Sequence, residues 1–525
     1  MKQPEYAFGA NILESLTTGM YQDSKVIYRE YIQNACDQID EAIETGLLRE
    51  GEGVIEIWLD NKTRTISIED NATGIPKNDF QKTLCDIANS KKKIGQNKGF
   101  RGIGRLCGLA YCREVVFSAS AKGENVISIM RCNAAKMRTL LTENAKGNKL
   151  TATEVLMQVN EFSTEKTTDV DSHFFKVELI DINAENTDLL NEGEIRDCLS
   201  FVAPVYYQST FIFREDIYKH AQELGIKLDE YTIKLEGKQI FKKFNTFLKK
   251  PDGDSRDEIF DVAFQDFYDD DNNLFAWMWI GLSKFTGAIP KVNLMRGLRL
   301  RKENIQIGSE DALQKLFKED RGNSYFVGEV FAISDDLIPN SQRDYFNENP
   351  TRAYFEKTLK RFFDEKLHKL YYDGSAVNSA FNKITAYETK EAEFIEKQNT
   401  GAFVSDAHRE TEFSKIENAK KTAEDALKKI NNIKKKAGEE DDSWIGKVIN
   451  RIEQGQPPKP IKDNSPSAVA PVSAKPKHRT DSPKLSTYNK NERKLISKIF
   501  ELILSATDDK TAENIICKIE EGLSQ

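Results

Sequence analysis

Polar and apolar positions repeat with a helical period over residues 28–43. At about 100° per residue, one side of the predicted helix carries only apolar side chains: Ile32, Ala35, Cys36, Ile39, Ala42 and Ile43. The opposite side carries polar side chains within a narrow arc: Glu30, Asn34, Asp37 and Glu41. A solvent-exposed face explains most helices of this kind, so the helix alone predicts no site.

Residues 54–70 predict a β-hairpin, because apolar positions alternate in both halves of the segment. The second strand ends at Asp70 and leads into a turn that Gly74 closes. An ionised Asp only accepts hydrogen bonds, so Asp70 suits the amino group of a base, and Gly74 would let the ring approach the backbone. Ordinary turn chemistry explains the same two residues.

A third segment, NKGFRGIGRLCGLAYC at 97–112, is rich in glycine and precedes a helix predicted from about Arg105. Backbone N–H groups around Gly99, Gly102 and Gly104 would face outward at the helix N-terminus, which suits a polyphosphate. Cationic side chains of the right sign lie nearby: Lys91, Lys92, Lys93, Lys98, Arg101 and Arg105. The segment matches neither standard phosphate-binding fingerprint, so alone it carries little weight.

In this order and at these spacings, the three segments resemble the GHKL superfamily of ATPases. REYIQNACD at 29–37 resembles the superfamily's E-x-x-x-N helix, and IANS at 87–90 resembles the segment before the lid in the ninety-kilodalton heat-shock chaperones. The resemblance covers roughly residues 8–180 and implies the Bergerat fold with ATP and Mg²⁺ as cofactors.

The resemblance also implies a task for each group. Glu30 would be the general base that orients and deprotonates the attacking water, and Asn34 would offer its amide oxygen to Mg²⁺. Asp70 and Gly74 would hold adenine, and residues 88–99 would form a mobile lid. The remaining nucleotide-binding residues would be Ser90, Gly99, Arg101, Gly102, Ile103 and Gly104.

One part of the chain departs from the superfamily pattern. Many members open the last strand of this domain with a Gly-Thr pair, whereas the corresponding strand here, at 173–182, has Phe174 and Phe175. An alternative alignment would use Thr153. With either alignment, we expect no established role for a threonine at the adenine.

Strand and helix patterns alternate over residues 195–375 and predict a second α+β domain. Within it, MRGLRLRKENIQIG at 295–308 alternates leucine with arginine, as an edge strand with one basic face would.

The segment LIPNSQRDYF at 337–346 resembles the chaperones' middle-domain loop, whose arginine reaches the γ-phosphate. The resemblance therefore makes Arg343 a candidate catalytic residue. Two alternatives stay open. Arg343 pairs with Asp344 or Asp336 on a loop surface, or Lys291 makes the phosphate contact instead.

The last third of the chain differs in composition. Residues 385–440 carry apolar positions at three- and four-residue spacings among many charges, which predicts a helix that either dimerises as a coiled coil or lies on the protein's own body. The Pro-rich stretch 455–486 predicts a flexible linker. Two amphipathic helices are predicted beyond it, and because they are too small to bury much apolar area alone, we expect them to dock on a partner.

The predicted fold class is therefore α+β with five segments. They are a Bergerat-fold α/β sandwich ATPase domain (1–190), an α+β transducer or middle domain (191–380), a charged helical or coiled-coil region (381–452), a disordered Pro-rich linker (453–487) and a small C-terminal helical hairpin (488–525).

Composition narrows the class of protein. The 525 residues are 39% hydrophobic and 30% charged, which indicates a soluble protein of several domains. No apolar run approaches a membrane span and no signal peptide opens the chain, so we expect a cytoplasmic location and no membrane contact. The seven cysteines lack CxxC spacing and are expected to be reduced core thiols.

Two functions compete. The first is an ATP-hydrolysing, chaperone-like clamp that forms a homodimer on binding ATP and acts on a protein client or partner effector through its C-terminal helices. Resemblance to prokaryotic stand-alone ATPases extends this function to phage defence. The second is an ATP-gated DNA clamp similar to microrchidia or MutL proteins. The net charge of −8 favours the protein client. A histidine kinase is disfavoured, because none of the five histidines lies on a helix suited to accept phosphate.

Overall fold

The computed structural model describes residues 8–17, 19–20, 23–89, 98, 102–147, 149–438, 443–455, 485, 488–507 and 509–523. The chain divides into two compact units. The first comprises Met1–Ala376 with Glu440–Ile452, and the second comprises Val377–Glu439 with Glu453–Gln525.

The first unit contains the elements of the predicted ATPase domain. They are α1 (Ile12–Leu16), α2 (Val26–Glu44), β1 (Val54–Asp60), β2 (Thr65–Asp70), α3 (Lys77–Cys85), β3 (Cys112–Ser120), β4 (Val126–Asn133), α4 (Ala134–Ala145), α5 (Ala152–Val159), β5 (Asn160–Lys166) and β6 (Phe174–Ile182). They are followed by α6 (Glu192–Val202), α7 (Arg214–Glu223), β7 (Thr232–Leu235) and β8 (Lys238–Gln239).

The strands form an eight-stranded sheet in the order β5-β4-β3-β6-β2-β1-β7-β8. The predicted hairpin is confirmed, because β1 and β2 pair antiparallel. β7 pairs in parallel with β1, so strands that lie beyond the predicted boundary at residue 190 complete this sheet. The parallel pair needs a long connection, which the intervening strands and helices supply.

The helix predicted at 28–43 forms α2, and its apolar side lies in the same core as the inward residues of β1 and β2. Ile39 is 1% exposed, and burial of such a side chain contributes about 1.5–3 kcal/mol. α2 ends where Gly46 adopts φ +72° and the Leu47 N–H donates to the Ala42 carbonyl at 2.8 Å.

The strand predicted at 173–182 forms β6, between β3 and β2, and places Phe175 opposite Asp70. Thr153 lies on helix α5, so the alternative alignment that used it as a strand residue is wrong. The helix begins there because Thr151 and Glu154 form a capping box.

A second sheet forms the predicted second α+β domain. Its elements are β9 (Phe247–Lys249), β10 (Ser255–Glu258), β11 (Asp261–Tyr268), β12 (Leu274–Leu282), β13 (Gly297–Lys302), β14 (Ile305–Ile307), β15 (Val327–Ala332) and α8 (Pro350–Phe362). Five of these strands form a sheet in the order β11-β12-β15-β13-β14, while β9 and β10 pair separately.

The prediction of an exposed basic edge strand at 295–308 is wrong. β13 lies between β15 and β14 and all of its residues are buried, including Arg299 and Arg301. A carboxylate on a neighbouring strand explains the burial, because Glu329 of β15 accepts a hydrogen bond from Arg301 at 2.6 Å. Paired charges can enter a core that would exclude isolated ones.

The remaining elements are helices. They are α9 (His368–Asn399), α10 (Asp406–Ala437), α11 (Trp444–Gly455), α12 (Lys490–Ala506) and α13 (Asp509–Leu523). Near the turn between α9 and α10, the Phe394 ring contacts those of Phe403 and Phe413. The apolar seam of α10 is buried within a single chain, which favours packing on the protein's own body over a dimerising coil. Most of the predicted linker, at 456–484 and 486–487, lies outside the described residues.

The C-terminal helices α12 and α13 pack around a small cluster that contains Ile496, Phe500 and Ile516. The helical period of the sequence places Leu495, Ile499, Leu502 and Ile503 on one face of α12. Leu495 and Leu502 of this face are each 63% exposed, whereas Ile503 packs against the cluster. α12 is apolar on two sides, and α13 covers only one. Among the helices described, none has both the length and the apolar character needed to cross a membrane. All seven cysteines are free thiols, but the expectation of core positions is wrong for Cys85 and Cys517, which are exposed.

Candidate active site

Two of the four residues on the polar face of α2 are buried, although such a face is normally solvated. Glu30 is 7% exposed and Asp37 is 3% exposed. Glu30 Oε1 lies 3.3 Å from Arg343 Nε and 3.6 Å from Arg29 Nε. The interpretation of this helix face as a solvent-exposed surface therefore holds for Glu41, which is exposed, but not for Glu30. Two guanidinium groups face the carboxylate that sequence reasoning assigns to catalysis.

Arg343 reaches Glu30 from a loop of the second domain. Its side chain is buried, and Nη2 donates to the carbonyl oxygen of Lys98 at 2.7 Å. The residue adopts φ +55°, and its own carbonyl accepts the Gly308 N–H at 2.9 Å, which holds the loop in place. A second contact fixes the same loop, because Arg29 Nη2 donates to the Gln342 carbonyl at 3.0 Å.

The surface-loop alternative for Arg343 is wrong. Asp344 accepts a hydrogen bond from the side chain of Asn340, and Asp336 contacts Thr351. Lys291 is exposed and lines, together with Arg343, a cleft of about 770 Å³. It does not reach Glu30 in this arrangement, so the structure brings Arg343, and not Lys291, to the predicted base.

Lys98 connects α2 with the Arg343 loop. Its backbone N–H donates to Asp37 Oδ1 at 2.7 Å, and its ammonium lies 2.8 Å from Asp40 and 3.5 Å from Asp229. Burial alone would lower the pKa of Lys98, but Asp229 and Asp40 outweigh it and raise that pKa above its usual value. The Lys98 ammonium is therefore already paired with two carboxylates inside the protein.

The glycine-rich segment is packed tightly onto α2. A Cβ on Gly104 would lie 2.5 Å from Glu30 Oε2, so no larger residue fits without moving the carboxylate. Gly102 adopts φ +69°, and Ile103 beside it is buried. The helix predicted from Arg105 is instead a 3₁₀ helix over Gly104–Ala110.

Hydrogen bonds to α2 also hold the 3₁₀ helix of this segment in place. Tyr31 of α2 donates its hydroxyl hydrogen to the Arg105 carbonyl at 3.1 Å and accepts the Gly108 N–H at 3.2 Å. The Arg105 guanidinium donates to the Asp86 carbonyl at 2.7 Å, so it too is engaged inside the protein. The other predicted residues of this region, Ser90, Lys91, Lys92, Lys93, Gly99 and Arg101, lie outside the described residues.

The predicted adenine residues lie at the end of β2. Asp70 is 4% exposed, and its Oδ1 accepts the Ala72 N–H at 3.1 Å. Gly74 adopts φ +64°, and a Cβ there would lie 1.9 Å from the Ser120 carbonyl oxygen, so the turn requires glycine. His173 Nδ1 lies 2.7 Å from the Ala72 carbonyl oxygen, next to the strand where other members have Gly-Thr.

The described residues fit a nucleotide and a Mg²⁺ ion. Gln33 is 1% exposed, yet its amide oxygen and nitrogen have no hydrogen-bond partner among the residues that are described. Buried polar atoms of this kind favour a polar ligand or water. Within the described ranges, no three His, Cys, Asp or Glu side chains converge on a metal site. Mg²⁺ held through ATP phosphates needs few protein ligands, and Asn34 offers one half-buried amide oxygen.

Sequence reasoning missed three residues that hold Lys98. Asp40 lies one helical turn beyond Asp37, so the helical period could have indicated it. Asp229 and Tyr231 lie far away in the sequence and carry no local signal. The Tyr231 hydroxyl donates to Asp40 at 2.7 Å, and its ring lies 5.3 Å from the Lys98 ammonium.

Residues 23–167 match the family of histidine kinase-, DNA gyrase B-, and HSP90-like ATPases. The N-terminal domain is therefore a GHKL-type ATPase domain, and it resembles those of Hsp90-like chaperones.

Curated relatives agree with this class. The chaperone protein HtpG of Helicobacter hepaticus is 29% identical over 131 residues, which are 22% of this chain and 21% of that protein. HtpG of Hydrogenovibrio crunogenus is 31% identical over 88 residues (16% of this chain, 14% of that protein), and HtpG of Rhizobium etli is 32% identical over 104 residues (18% and 16%). The chain thus spans at most 21% of the length of these relatives.

Proposed function

We propose that this protein hydrolyses ATP, with Glu30 as the general base and Arg343 as the cation that stabilises the transition state. One observation carries the proposal: Glu30 Oε1 lies 3.3 Å from Arg343 Nε, and both residues are 7% exposed. A buried carboxylate can orient a water molecule and accept its proton. A guanidinium at the same place suits the negative charge that develops on phosphoryl oxygens.

Mg²⁺ would offset the charge of the ATP phosphates when both are bound. Asn34 would offer its amide oxygen to the ion, and Asp70 would accept a hydrogen bond from the adenine amino group. Gly74 would let the adenine ring approach the backbone. The proposed set is completed by Ser90, Gly99, Arg101, Gly102, Ile103 and Gly104.

The arginine comes from a different domain than the base, so hydrolysis would depend on how the two domains are arranged. This dependence supports a clamp that changes conformation with the bound nucleotide and forms a homodimer with ATP. A GHKL-type domain with a second α+β domain is consistent with such a cycle. In the cytoplasm, the cycle would act on a protein client or on a partner effector, including one used in phage defence.

The C-terminal helices are the proposed contact for that partner. Leu495 and Leu502 are each 63% exposed on one side of α12, and Ile499 between them is 43% exposed. These residues repeat at four and three positions, which is the spacing of a helix that packs against another apolar surface. The Pro-rich segment before α12 would set the reach of this contact.

The DNA clamp has less support. Arg299, Arg301 and Lys302 of β13 could have offered cations to DNA, but all three are buried. The net charge of −8 also opposes binding to a polyanion over a large surface. A protein client is therefore the better-supported target.

Steady-state ATPase assays with Mg²⁺ test the proposal. Glu30→Ala should bind ATP but lose turnover by at least about a hundredfold, because it removes the proposed proton acceptor. Glu41→Ala is the matched control, since Glu41 lies on the same face of α2 but is exposed. The proposal fails if the wild type shows no turnover, or if Glu30→Ala matches Glu41→Ala.

Affinity capture tests the partner. Glu30→Ala loaded with ATP should retain a client protein when residues 488–525 are present and lose it when they are deleted. Recovery of DNA that survives the deletion would favour the DNA clamp instead.

A further inference from the structure

We propose that Lys98 is a positioning residue that sets the place of Arg343 against Glu30. The inference rests on the proposed ATPase function and adds a residue that acts on the reaction only through Arg343.

The side chain of Lys98 is held by three residues from two parts of the chain. Its ammonium lies 2.8 Å from Asp40 of α2 and 3.5 Å from Asp229, which precedes β7. It also lies 5.3 Å from the centre of the Tyr231 ring, and Tyr231 donates its hydroxyl hydrogen to the same Asp40. The Lys98 side chain is 8% exposed, so these contacts, and not water, determine where it lies.

The backbone of Lys98 transmits that placement. Its N–H donates to Asp37 Oδ1 at 2.7 Å, and its carbonyl oxygen accepts Arg343 Nη2 at 2.7 Å. The position of the Lys98 carbonyl is therefore fixed both by the ion pairs of the Lys98 side chain and by the bond of the Lys98 N–H to Asp37. Arg343 in turn uses Nη2 for this carbonyl and directs Nε to Glu30. Because the guanidinium is planar, fixing Nη2 orients Nε as well.

The Asp229 half of the clamp is tied to the second sheet. Asn304, in the turn between β13 and β14, donates its amide hydrogen to the Asp229 carbonyl at 2.6 Å. The amide oxygen of Asn304 accepts a hydrogen bond from Lys242 at 2.7 Å. Asp229 is therefore bonded to the same domain that carries Arg343. The second domain thus contacts Lys98 both through Arg343 and through Asp229.

Loss of the ammonium should leave the fold intact. The side chains of Asp40 and Asp229 are about 40% exposed, so water can solvate both carboxylates when the lysine is gone. Lys98→Met keeps the length and apolar part of the side chain. Lys98→Arg keeps the charge. Lys227→Met is the matched control, because Lys227 pairs with Glu50 on the surface, where an ion pair contributes little.

Single-turnover and steady-state ATPase kinetics, with ADP binding by calorimetry, provide the test. Lys98→Met should lower kcat by roughly ten- to a hundredfold, as expected for a shift of about 1 Å in a catalytic group, while the ADP affinity changes less than about threefold. Lys98→Arg should recover most of kcat, and Lys227→Met should match the wild type.

The decisive measurement is the double variant. If Lys98 acts through Arg343, Lys98→Met should lower kcat by less than about twofold in an Arg343→Ala background, because the two changes remove one shared effect. Additive losses, wild-type kcat in Lys98→Met, or equal losses in the Met and Arg variants would overturn the inference. A wild type that does not hydrolyse ATP would instead overturn the proposed function. Should Lys98→Met fail to fold, Asp229→Asn weakens the same clamp and must lower kcat in the same selective way.

Discussion

Glu329→Gln should strongly destabilise the second domain. Glu329 has no exposed surface, and neither do the two cations beside it, Arg301 and Lys242. Arg301 donates to Glu329 at 2.6 Å, Lys242 lies 3.3 Å from the same oxygen, and Trp279 donates to the other oxygen at 3.1 Å. A neutral amide would remove the carboxylate that pairs with both buried cations.

Loss of one partner from a buried charge pair costs about 3–5 kcal/mol. With a urea m-value of about 2 kcal/mol/M, the unfolding midpoint of the domain should fall by roughly 2 M. Trp277 and Trp279 both lie on β12, so tryptophan fluorescence reports this domain once Trp58 and Trp444 are replaced by phenylalanine. The control is Glu319→Gln, since Glu319 forms an exposed pair with Arg321 and should shift the midpoint very little.

The loss of stability caused by Glu329→Gln should also depend on pH. Burial alone would raise the pKa of Glu329, but Arg301 and Lys242 outweigh it and lower the pKa to about 2. The folded state then binds fewer protons than the unfolded state between about pH 2 and 4, so stability falls as the pH drops through that window. The wild type and Glu329→Gln should therefore converge in acid. A midpoint shift below about 0.3 M at pH 7, or a difference that does not shrink in acid, would refute this account of the buried charges.

Four further variants test the site and its surroundings. Asp70→Asn should abolish adenine-nucleotide binding in calorimetry, because it removes the negative charge and replaces one acceptor oxygen by an NH2 donor, and unchanged affinity would contradict the adenine assignment. Arg343→Ala should lower kcat by at least about tenfold with nearly normal ADP affinity, and wild-type turnover would contradict its role. Gly104→Ala places a Cβ 2.5 Å from Glu30 Oε2 and should lower kcat by roughly ten- to a hundredfold, whereas a normal rate would show that the carboxylate can move freely. Burial raises the pKa of Glu230 to about 7, so stability should fall as the pH rises from about 4.5 to 7, and Glu230→Gln should remove that slope in urea titrations.

Local patterns were sufficient where one element determines its own structure. The helical period of α2 and the alternation of β1 and β2 follow from burial against one shared core, and all three elements form. The superfamily resemblance added what periodicity could not, namely the expectation that Arg343 of the second domain reaches the phosphate end of the ATP site. The structure places its guanidinium 3.3 Å from Glu30, the proposed base.

Local patterns failed where a distant residue decides the outcome. The alternating arginines of β13 gave the same signal as an exposed basic strand, because the neutralising Glu329 lies on another strand. Helix α12 has two apolar faces, and α13 packs against only one of them. Phe500 is therefore buried while Leu495 is exposed. In both cases the local sequence does not indicate which distant residue or helix packs against the element.

Helix α2 explains why these separate contacts belong to one device. Glu30 and Asp37 are seven residues apart on one face, which is about 10 Å along the helix axis. Glu30 meets the side chain of Arg343, and Asp37 meets the backbone of Lys98, which also holds Arg343. A rotation or shift of α2 would therefore move the base and the support of the arginine together. The second domain can leave the site only by breaking the contacts of Arg343 with Glu30 and with the Lys98 carbonyl. The turnover rate should therefore depend on the docking of the two domains and not on the ATPase domain alone.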